Sequence, residues 1–591
     1  MTQQSESRQL PFREGNSGWT KSALGYLLVA LPVVVFGIFW KAYAINIPKW
    51  DDHALRGFLF FFDQETTLSG KIHQLFRQHN EHRIVYDRVI TLLDYWLFGK
   101  LSYTHLMVVG NLSLIGLLLV FIAILRRASK PVLYAIPVAF LLFNLSHWEN
   151  MFWGMAALQN FSVVLWIIAA FYFLSYSTKW GLALIAAVLA TITSGNGLVV
   201  WPIGFLLILL QTDTYRNRQT SWQWLRPLLG WLLAGAVVVG LYFTGFEKPG
   251  DITYTRPGIY ELLKGWFAFI GAAAEVVPIG STLNAGIVLG GLLVLTTLSI
   301  FAWTLWMNRL VLIRIPQQLL NPKAPSEQAA TISSPVLFFW SSALFILGTG
   351  AIVAWARTVF GIDLLMTSRY KPYSLTLLAL LYTYAVVTFS ERPGRWLMVS
   401  GTLGAIIFAG LSYLSFLDET VFWRHKLTSM QFNGSHSTNV PVVRIDSISS
   451  KYTTLASTFY HEALPILYGS ASQPLAPIQI HNTATGFDIQ NATMPAQGLG
   501  DSGNYLIVRS TKRLYLFPVH QNQRSALEAS FQPSQLFTTG FRTDILSSEL
   551  EAGTYQLYVL TVSNDNRSQL YPTNQTLTST GPPTTSRPKN W

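Results

Sequence analysis

The chain is 591 residues long, with 51% hydrophobic residues, only 12% charged residues and no cysteine. Its charged fraction is about half that of an average soluble domain, and apolar runs of about 18 residues or more fit a bilayer span, so a soluble cytosolic enzyme is excluded. The absence of cysteine excludes a disulfide scaffold, a thiolate metal site and a cysteine nucleophile. The net charge of +12 comes largely from Lys and Arg at the ends of apolar runs, which favours membrane topology signals over binding of nucleic acid.

The apolar runs predict an α-helical polytopic membrane protein. Residues 1–22 are a polar N-terminal tail, and the first apolar run lacks a small-residue cleavage site, which favours a retained helix over a signal peptide. A transmembrane domain is predicted over residues 23–415. It contains about eleven helices, with approximate bounds 23–43, 106–125, 131–146, 157–175, 181–194, 198–211, 227–246, 284–307, 335–355, 373–390 and 396–415.

Basic residues in alternate short loops predict that the N-terminus is cytoplasmic, because such residues remain on the inner side of a membrane. These residues are Arg126, Arg127, Lys130, Lys179, Arg216, Arg218, Arg226, Arg309, Arg314, Lys323, Arg392 and Arg395. We therefore expect a multi-pass protein of the bacterial inner membrane whose C-terminal region is extracytoplasmic. The apolar segment from Tyr260 to Pro278 would break this alternation as a full span, so we expect a short re-entrant or interfacial helix on the outer side.

Two long regions are predicted outside the membrane. The first outer loop, residues 46–105, contains apolar residues at helical spacing from Asp87 to Leu97. Residues 416–570 are expected to form an extracytoplasmic β-sandwich-like domain, and residues 571–591 a disordered tail. The predicted strands are Tyr505–Val508, Leu514–Val519 and Tyr555–Val562.

Unusual polar clusters all fall in loops that this topology places on the outer face. They are Trp50–His53, Asn80–Arg83, His147–Asn150, Ser194–Gly197 and Ser368–Lys371 with nearby Arg357. Asp51 and Asp52 could act as a general base or bind Mg²⁺ or Mn²⁺. Arginine and lysine side chains can bind phosphate oxygens, which makes candidates of Arg83, Arg357, Arg369 and Lys371. The candidate substrate-binding residues are His53, Glu81, His82, His147, Glu149, Asn196 and Tyr370.

Each cluster also has a purely structural interpretation. The Asp51–Asp52 pair could cap the helical stretch 54–62, and Ser194–Gly197 has the composition of a tight turn. Arg369 and Lys371 could be lipid-headgroup anchors. His147 and Glu149 form no metalloprotease motif and could be interfacial anchors.

The acidic pair that opens the first outer loop, the many spans and the polar C-terminal region resemble the glycosyltransferase C superfamily, with closest likeness to bacterial members. The likeness covers roughly residues 20–415 and is carried by Trp50–His53, Asn80–Arg83, the segment containing Gly271, and Ser368–Tyr370. These enzymes are polytopic and use sugars linked to a polyprenyl phosphate. An acidic residue of their first outer loop is the catalytic base, which implies Asp51 or Asp52.

The leading functional prediction is therefore an inverting glycosyltransferase. It would move a sugar from a polyprenyl-phosphate donor to a lipid or glycan acceptor on the outer, periplasmic face. The alternative is a transporter or flippase of lipid-linked glycans, which would require ionisable residues near mid-membrane and broken helices in a repeat. The expected partners are the lipid-linked donor, the acceptor and membrane lipids, without nucleic acid.

Overall fold

A computed structural model describes residues 17–177, 179–211, 225–247, 257–277, 280–313, 331–496, 498–525, 528 and 536–582. Five residues used in the topology prediction, namely Arg216, Arg218, Pro278, Arg314 and Lys323, lie outside these ranges. In chain order the α-helices are α1 Ser17–Tyr43, α2 Asp52–Gln64, α3 Leu68–Phe76, α4 Val85–Phe98, α5 Tyr103–Arg127, α6 Ile136–Leu142, α7 Trp148–Met151, α8 Gly154–Ala156, α9 Ser162–Tyr176, α10 Trp180–Thr193, α11 Val200–Leu210, α12 Arg226–Phe243, α13 Ile259–Ile270, α14 Thr282–Met307, α15 Ser334–Arg357, α16 Lys371–Thr388, α17 Glu391–Ser435, α18 Ser447–Tyr452 and α19 Tyr460–Leu467.

Within the described part of the chain, eight helical segments are long and apolar enough to cross a membrane. Their bounds are Ala23–Tyr43, Tyr103–Arg127, Val132–Met151, Gly154–Tyr176, Arg226–Phe243, Thr282–Met307, Ser334–Phe360 and Glu391–Ser435. Two shorter apolar helical segments, Trp180–Thr193 and Gly195–Leu210, lie where two further spans were predicted. The helical, apolar character expected for residues 23–415 is thus confirmed, while the number of about eleven spans stays a prediction.

The first outer loop folds into three helices, α2, α3 and α4. The helix predicted from Asp87 to Leu97 is present and slightly longer, from Val85 to Phe98. Its left-handed C-terminal residue, Gly99, has φ 75°, a conformation that glycine adopts without steric cost. The loop therefore presents short helices above the apolar bundle instead of an extended linker.

The segment after residue 257 contains α13, which has 12 residues, and a 3-10 helix from Ala272 to Val276. At about 1.5 Å per residue, α13 is too short to cross a ~30 Å hydrocarbon layer. It packs closely on α14 because Gly271, Gly286 and Gly290 let the two backbones approach. A β-carbon at Gly290 would lie 1.8 Å from the carbonyl oxygen of Phe267.

The helix that contains the last predicted span, 396–415, does not end at residue 415. The helix α17 is continuous over 45 residues, from Glu391 to Ser435. Residues 416–435, assigned from composition to the β-rich domain, extend the helix because a polar sequence remains compatible with helix once an apolar segment has initiated it. The junction of the two domains therefore lies inside a helix.

In the described residues, eight antiparallel strands form two four-stranded sheets, as the predicted β-sandwich requires. One sheet has the order β1-β2-β6-β5 and the other β4-β3-β7-β8. The strands are β1 Gln479–Asn482, β2 Gly486–Asn491, β3 Gly503–Arg509, β4 Leu514–Pro518, β5 His520–Gln523, β6 Phe537–Leu546, β7 Gly553–Val562 and β8 Ser568–Ser579. The disordered tail predicted from residue 571 is corrected, because β8 continues to Ser579 in register with β7; residues 583–591 lie outside the described ranges.

The second sheet is covered on both faces. In β3, Leu506 and Val508 join the core between the sheets. Tyr505 and Ile507 point the other way and pack with Phe432 of α17 and with α19. Because alternate residues of a strand face opposite sides, burial of all four places the sheet between the first sheet and a layer of helices.

Arg424 joins three parts of the molecule. Its guanidinium donates to the two carboxylate oxygens of Asp501, at 2.6 and 2.9 Å. It also donates to the carbonyls of Tyr43 and Ala44 at the end of α1, each at 3.3 Å. One residue of α17 thereby connects the end of α1 to the sandwich.

Candidate functional site

Asp52 lies at the start of α2 with 0% of its surface exposed. Its Oδ1 accepts the N–H of Met155 at 2.8 Å, and its Oδ2 accepts the N–H of Lys49 at 3.1 Å. Burial raises the pKa of its carboxyl to about 7, although the two N–H donors oppose that shift. Asp52 thus connects the first outer loop to the α7–α8 region and has no open path to a substrate.

Asp51 is the accessible member of the acidic pair, with 48% of its side chain exposed. Its Oδ1 lies 3.9 Å from Nε2 of His79, a residue that the sequence did not single out. Its side chain makes no capping hydrogen bond to α2, and Asp52 accepts from residues outside that helix. Asp51 therefore occupies the N-cap position of α2 and Asp52 its first turn, but neither side chain makes a capping hydrogen bond to this helix.

The side chain of Lys49 is enclosed by four indole rings. Its Nζ lies 3.9 Å from the ring centroid of Trp423, 4.4 Å from Trp50, 5.0 Å from Trp148 and 5.4 Å from Trp153. We call these four residues the tryptophan cage. Burial lowers the pKa of Lys49 to about 8, and the negative ring faces stabilise the ammonium form.

Arg369 contacts the same cage, although it lies far from Lys49 in the sequence. Its guanidinium carbon lies 5.8 Å from the centroid of Trp153, so Lys49 and Arg369 share one ring. Its Nε is 3.6 Å from Oε1 of Glu149. That separation is too long for a hydrogen bond, and the buried Nε has no hydrogen-bond partner within the described residues. Arg369 therefore retains unused donor capacity.

Lys371 is fully buried and forms an ion pair with Glu275 from the 3-10 helix after α13. Its Nζ also lies 3.8 Å from the ring centroid of Phe416. Glu275 lies in the apolar segment Tyr260–Pro278 and is the partner of Lys371 in this pair. A buried charge requires such a partner, so Lys371 is more fully compensated than Arg369.

A second group of predicted residues meets beside Asp51. The turn from His79 to His82 is closed by reciprocal backbone hydrogen bonds of 2.8 and 2.9 Å. From this turn Glu81 accepts a hydrogen bond from Arg357 at 2.7 Å. His82 packs against Gly195, where a β-carbon would lie 2.8 Å from its Nδ1. The clusters at 80–83, 194–197 and 357 are therefore adjacent.

Asn196 extends this group towards α16. Its Nδ2 donates to the hydroxyl of Tyr373 at 2.5 Å, and its Oδ1 is buried with no hydrogen-bond partner in the described chain. Gly197 is required beside it, because a β-carbon there would lie 2.0 Å from the carbonyl oxygen of Ala190. The tight-turn interpretation of 194–197 is thus correct, and the turn also positions Asn196.

The role predicted for Arg83 is corrected. Each of its three guanidinium nitrogens donates to a main-chain carbonyl, those of Tyr242, Phe76 and Thr244. The residue is 7% exposed. Arg83 therefore ties the first outer loop to the end of α12 and is not placed to bind a donor phosphate.

Three other candidates remain at the margin of this arrangement. His53 is exposed at the surface. Partial desolvation of its ring lowers its pKa, and the positive charge of Arg56 lowers that pKa further. His147 is fully buried and packs edge-on against Phe161, with ring centroids 5.4 Å apart. Tyr370 packs against Phe269, with centroids 5.3 Å apart. For His147 and Tyr370 the structure supplies a packing role.

The acidic pair does not form the metal site that was considered for Mg²⁺ or Mn²⁺. Asp52 uses both carboxylate oxygens for backbone N–H groups, whereas Asp51 faces outward beside His79. Within the described ranges, no group of three or more His, Cys, Asp or Glu residues is placed to hold an ion. The residues present do not fit a two-carboxylate metal site, and no step is derived through one.

The sequence did not identify Lys49, His79 or the four tryptophans of the cage as site residues. Lys49 and Trp50 directly precede Asp51, and that adjacency was the available signal. Trp423 had no such signal, because it lies beyond the predicted end of the last span. Comparisons of the chain with protein-family models, curated proteins and solved structures find no match.

Proposed function

We propose that the chain is a membrane glycosyltransferase. It transfers a sugar from a polyprenyl-phosphate donor to an acceptor hydroxyl on the outer face by a single inverting displacement. The observation that carries this proposal is the series of contacts that links the segment bearing Asp51 to Arg369, although these two residues lie more than 300 residues apart. The N–H of Lys49 donates to Asp52, the neighbour of Asp51, and the side chains of Lys49 and Arg369 both lie against the ring of Trp153.

Asp51 is the general base in this mechanism. Its carboxylate is accessible, and a base must come within hydrogen-bond reach of the acceptor hydroxyl. Asp52 is a positioning residue, since its two backbone hydrogen bonds fix the loop that carries Asp51.

Arg369 binds the leaving phosphate in this mechanism. Its planar guanidinium can donate two parallel hydrogen bonds to a phosphate, and the 3.6 Å separation from Glu149 leaves donors unused. Lys49 and Lys371 add positive charge nearby. Arg357 is already engaged with Glu81 and acts at the rim of the site.

The first test measures binding of polyprenyl phosphate to the purified full-length protein by native mass spectrometry. Arg369→Ala should weaken binding about 10- to 100-fold, because a hydrogen bond to a charged group is worth roughly 1.5–3 kcal/mol. Arg369→Lys should fall between, since it keeps the charge and loses the fork. The control is Arg542→Ala, on strand β6 of the sandwich. Equal affinity in wild type and Arg369→Ala would remove Arg369 from the site.

The second test separates chemistry from binding. Asp51→Asn should lower turnover by about 10²–10⁴-fold and leave polyprenyl phosphate affinity unchanged. A transporter of lipid-linked glycans would bind the same lipid, but its activity would not need a general base. Full activity in Asp51→Asn would therefore contradict the catalytic assignment and favour transport.

A further inference from the structure

Trp50 is held in a conformation that bulky residues rarely adopt. Its φ is 45°, in the left-handed region. For a non-glycine residue such a conformation costs on the order of 1–3 kcal/mol and persists only where surrounding contacts enforce it. The residue directly precedes Asp51, so the strained backbone fixes the direction of the indole ring relative to the proposed base.

The surroundings of Trp50 explain how the ring is fixed. Trp153 and Trp423 contact it edge to face, with centroids 5.0 and 4.9 Å away. The Lys49 ammonium lies 4.4 Å from the ring centroid. Although these groups contact the ring, 46% of Trp50 is exposed. Part of Trp50 is therefore open to solvent.

The exposed ring and the exposed carboxylate are consecutive along the chain. A rigid apolar ring beside a hydrogen-bonding carboxylate is the combination that fits a sugar, which has an apolar C–H face and a polar rim of hydroxyls. The negative face of an indole attracts polarised C–H groups, and a few fixed polar groups orient the bound molecule. A lipid alcohol would gain from the ring but would have no use for its rigid orientation.

From this geometry we infer that Trp50 is a carbohydrate-stacking residue and that the acceptor is a saccharide. The sugar ring packs on the exposed part of Trp50, and one hydroxyl of the sugar is directed to Asp51. This inference rests on the proposed function and narrows its acceptor from a lipid or a glycan to a glycan. Lys49, Trp153 and Trp423 act as positioning residues because they contact Trp50 and not the sugar.

The experiment measures equilibrium binding of oligosaccharides released by mild acid from bacterial envelopes to the full-length protein, without any donor. Wild type should bind a subset of these oligosaccharides. Trp50→Ala should weaken that binding at least about tenfold, or about 1.4 kcal/mol. Trp50→Phe, which keeps an aromatic face, should bind better than Trp50→Leu, which keeps only apolar bulk.

The matched control is Trp96→Ala, because Trp96 is an exposed tryptophan of the same outer loop, on α4. It should leave oligosaccharide affinity unchanged. Equal affinities for Trp50→Phe and Trp50→Leu, or no oligosaccharide binding by wild type, would overturn the inference. If Trp50→Ala transferred sugar as well as wild type, the inference alone would be overturned. If wild type bound oligosaccharides and Trp50→Ala did not, but wild type showed no sugar transfer, only the proposed function would be overturned.

Discussion

At the scale of single residues, Asp51 and Asp52 have opposite environments although they are neighbours. Successive residues of a helix point about 100° apart, so one of an adjacent pair faces the interior and the other solvent. The resemblance implied Asp51 or Asp52 as the base. The burial of Asp52 and its two backbone hydrogen bonds give it a structural role, which leaves Asp51 as the proposed base.

The burial of Asp52 gives a prediction for stability against pH. Its pKa is raised from 3.8 to about 7 in the folded protein. The native state therefore keeps a proton that the unfolded chain has lost, and the free energy of unfolding falls as pH rises through that window. The full effect is on the order of 4 kcal/mol. The charged groups facing Asp52 are Lys49, Asp51 and Asp87.

Chemical unfolding at about pH 5 and at about pH 8 gives the free energy of unfolding of wild type and of Asp52→Asn. The effect is the change with pH in the difference between these two free energies. Asn cannot ionise, so the stability of wild type relative to the variant should be greater at the lower pH. Asp87, whose pKa burial also raises, is present in both proteins and cancels. Parallel pH profiles would contradict the buried ionisation of Asp52.

At the scale of elements, the contact between α13 and α14 depends on glycines. Gly286 and Gly290 are four residues apart on α14, the spacing at which small residues let helix backbones approach. A β-carbon at Gly290 would meet the carbonyl oxygen of Phe267 at 1.8 Å, whereas one at Gly291 would have only ordinary contacts at 3.7 Å. The two adjacent glycines thus form a matched pair.

Gly290→Ala should destabilise the protein by about 1–3 kcal/mol, because overpacking forces the two helices apart. Gly291→Ala should be neutral or slightly stabilising, since alanine favours helix over glycine. Thermal unfolding in detergent measures both. Equal melting temperatures for the two variants would contradict this account of the contact. Because Glu275 follows α13 and pairs with Lys371, Gly290→Ala should also weaken polyprenyl phosphate binding.

At the scale of the whole molecule, the long helix α17 links the apolar bundle to the sandwich. The positive-inside prediction places the start of this helix in the cytoplasm and the sandwich outside. Arg392 and Arg395 lie in its first two turns, and Arg424 is fixed to the sandwich through Asp501. The sidedness of every candidate residue depends on this orientation.

Single cysteines in the cysteine-free chain can test the orientation directly. Ser69 in α3, Ser548 in the sandwich and Ser390 before α17 are all exposed. Ser69→Cys and Ser548→Cys should react with an impermeant maleimide in intact spheroplasts, and Ser390→Cys should react only after lysis. Labelling of Ser390→Cys alone in intact spheroplasts would reverse the topology and remove the outer-face site.

Much of the secondary structure could be read from local pattern. Helical spacing predicted α4, and runs of β-branched and aromatic residues predicted β3, β4 and β7, because periodicity reports burial along each segment. The end of α17 could not be read in this way. Its polar half packs partly on the sandwich, for example through Phe432, so the composition changes where the helix does not.

The mostly helical, apolar character of the chain, its β-rich C-terminal region and its charged loop clusters follow from the amino-acid sequence alone. Which of these residues lie together follows only from the packing of the helices. Lys49, Trp153, Arg369 and Trp423 meet in one cage although they come from distant parts of the chain, and Arg83 is turned from a candidate ligand into a backbone tie. The physical reason is that local pattern shows which face of an element is buried, whereas the partner of each side chain depends on how the helices pack.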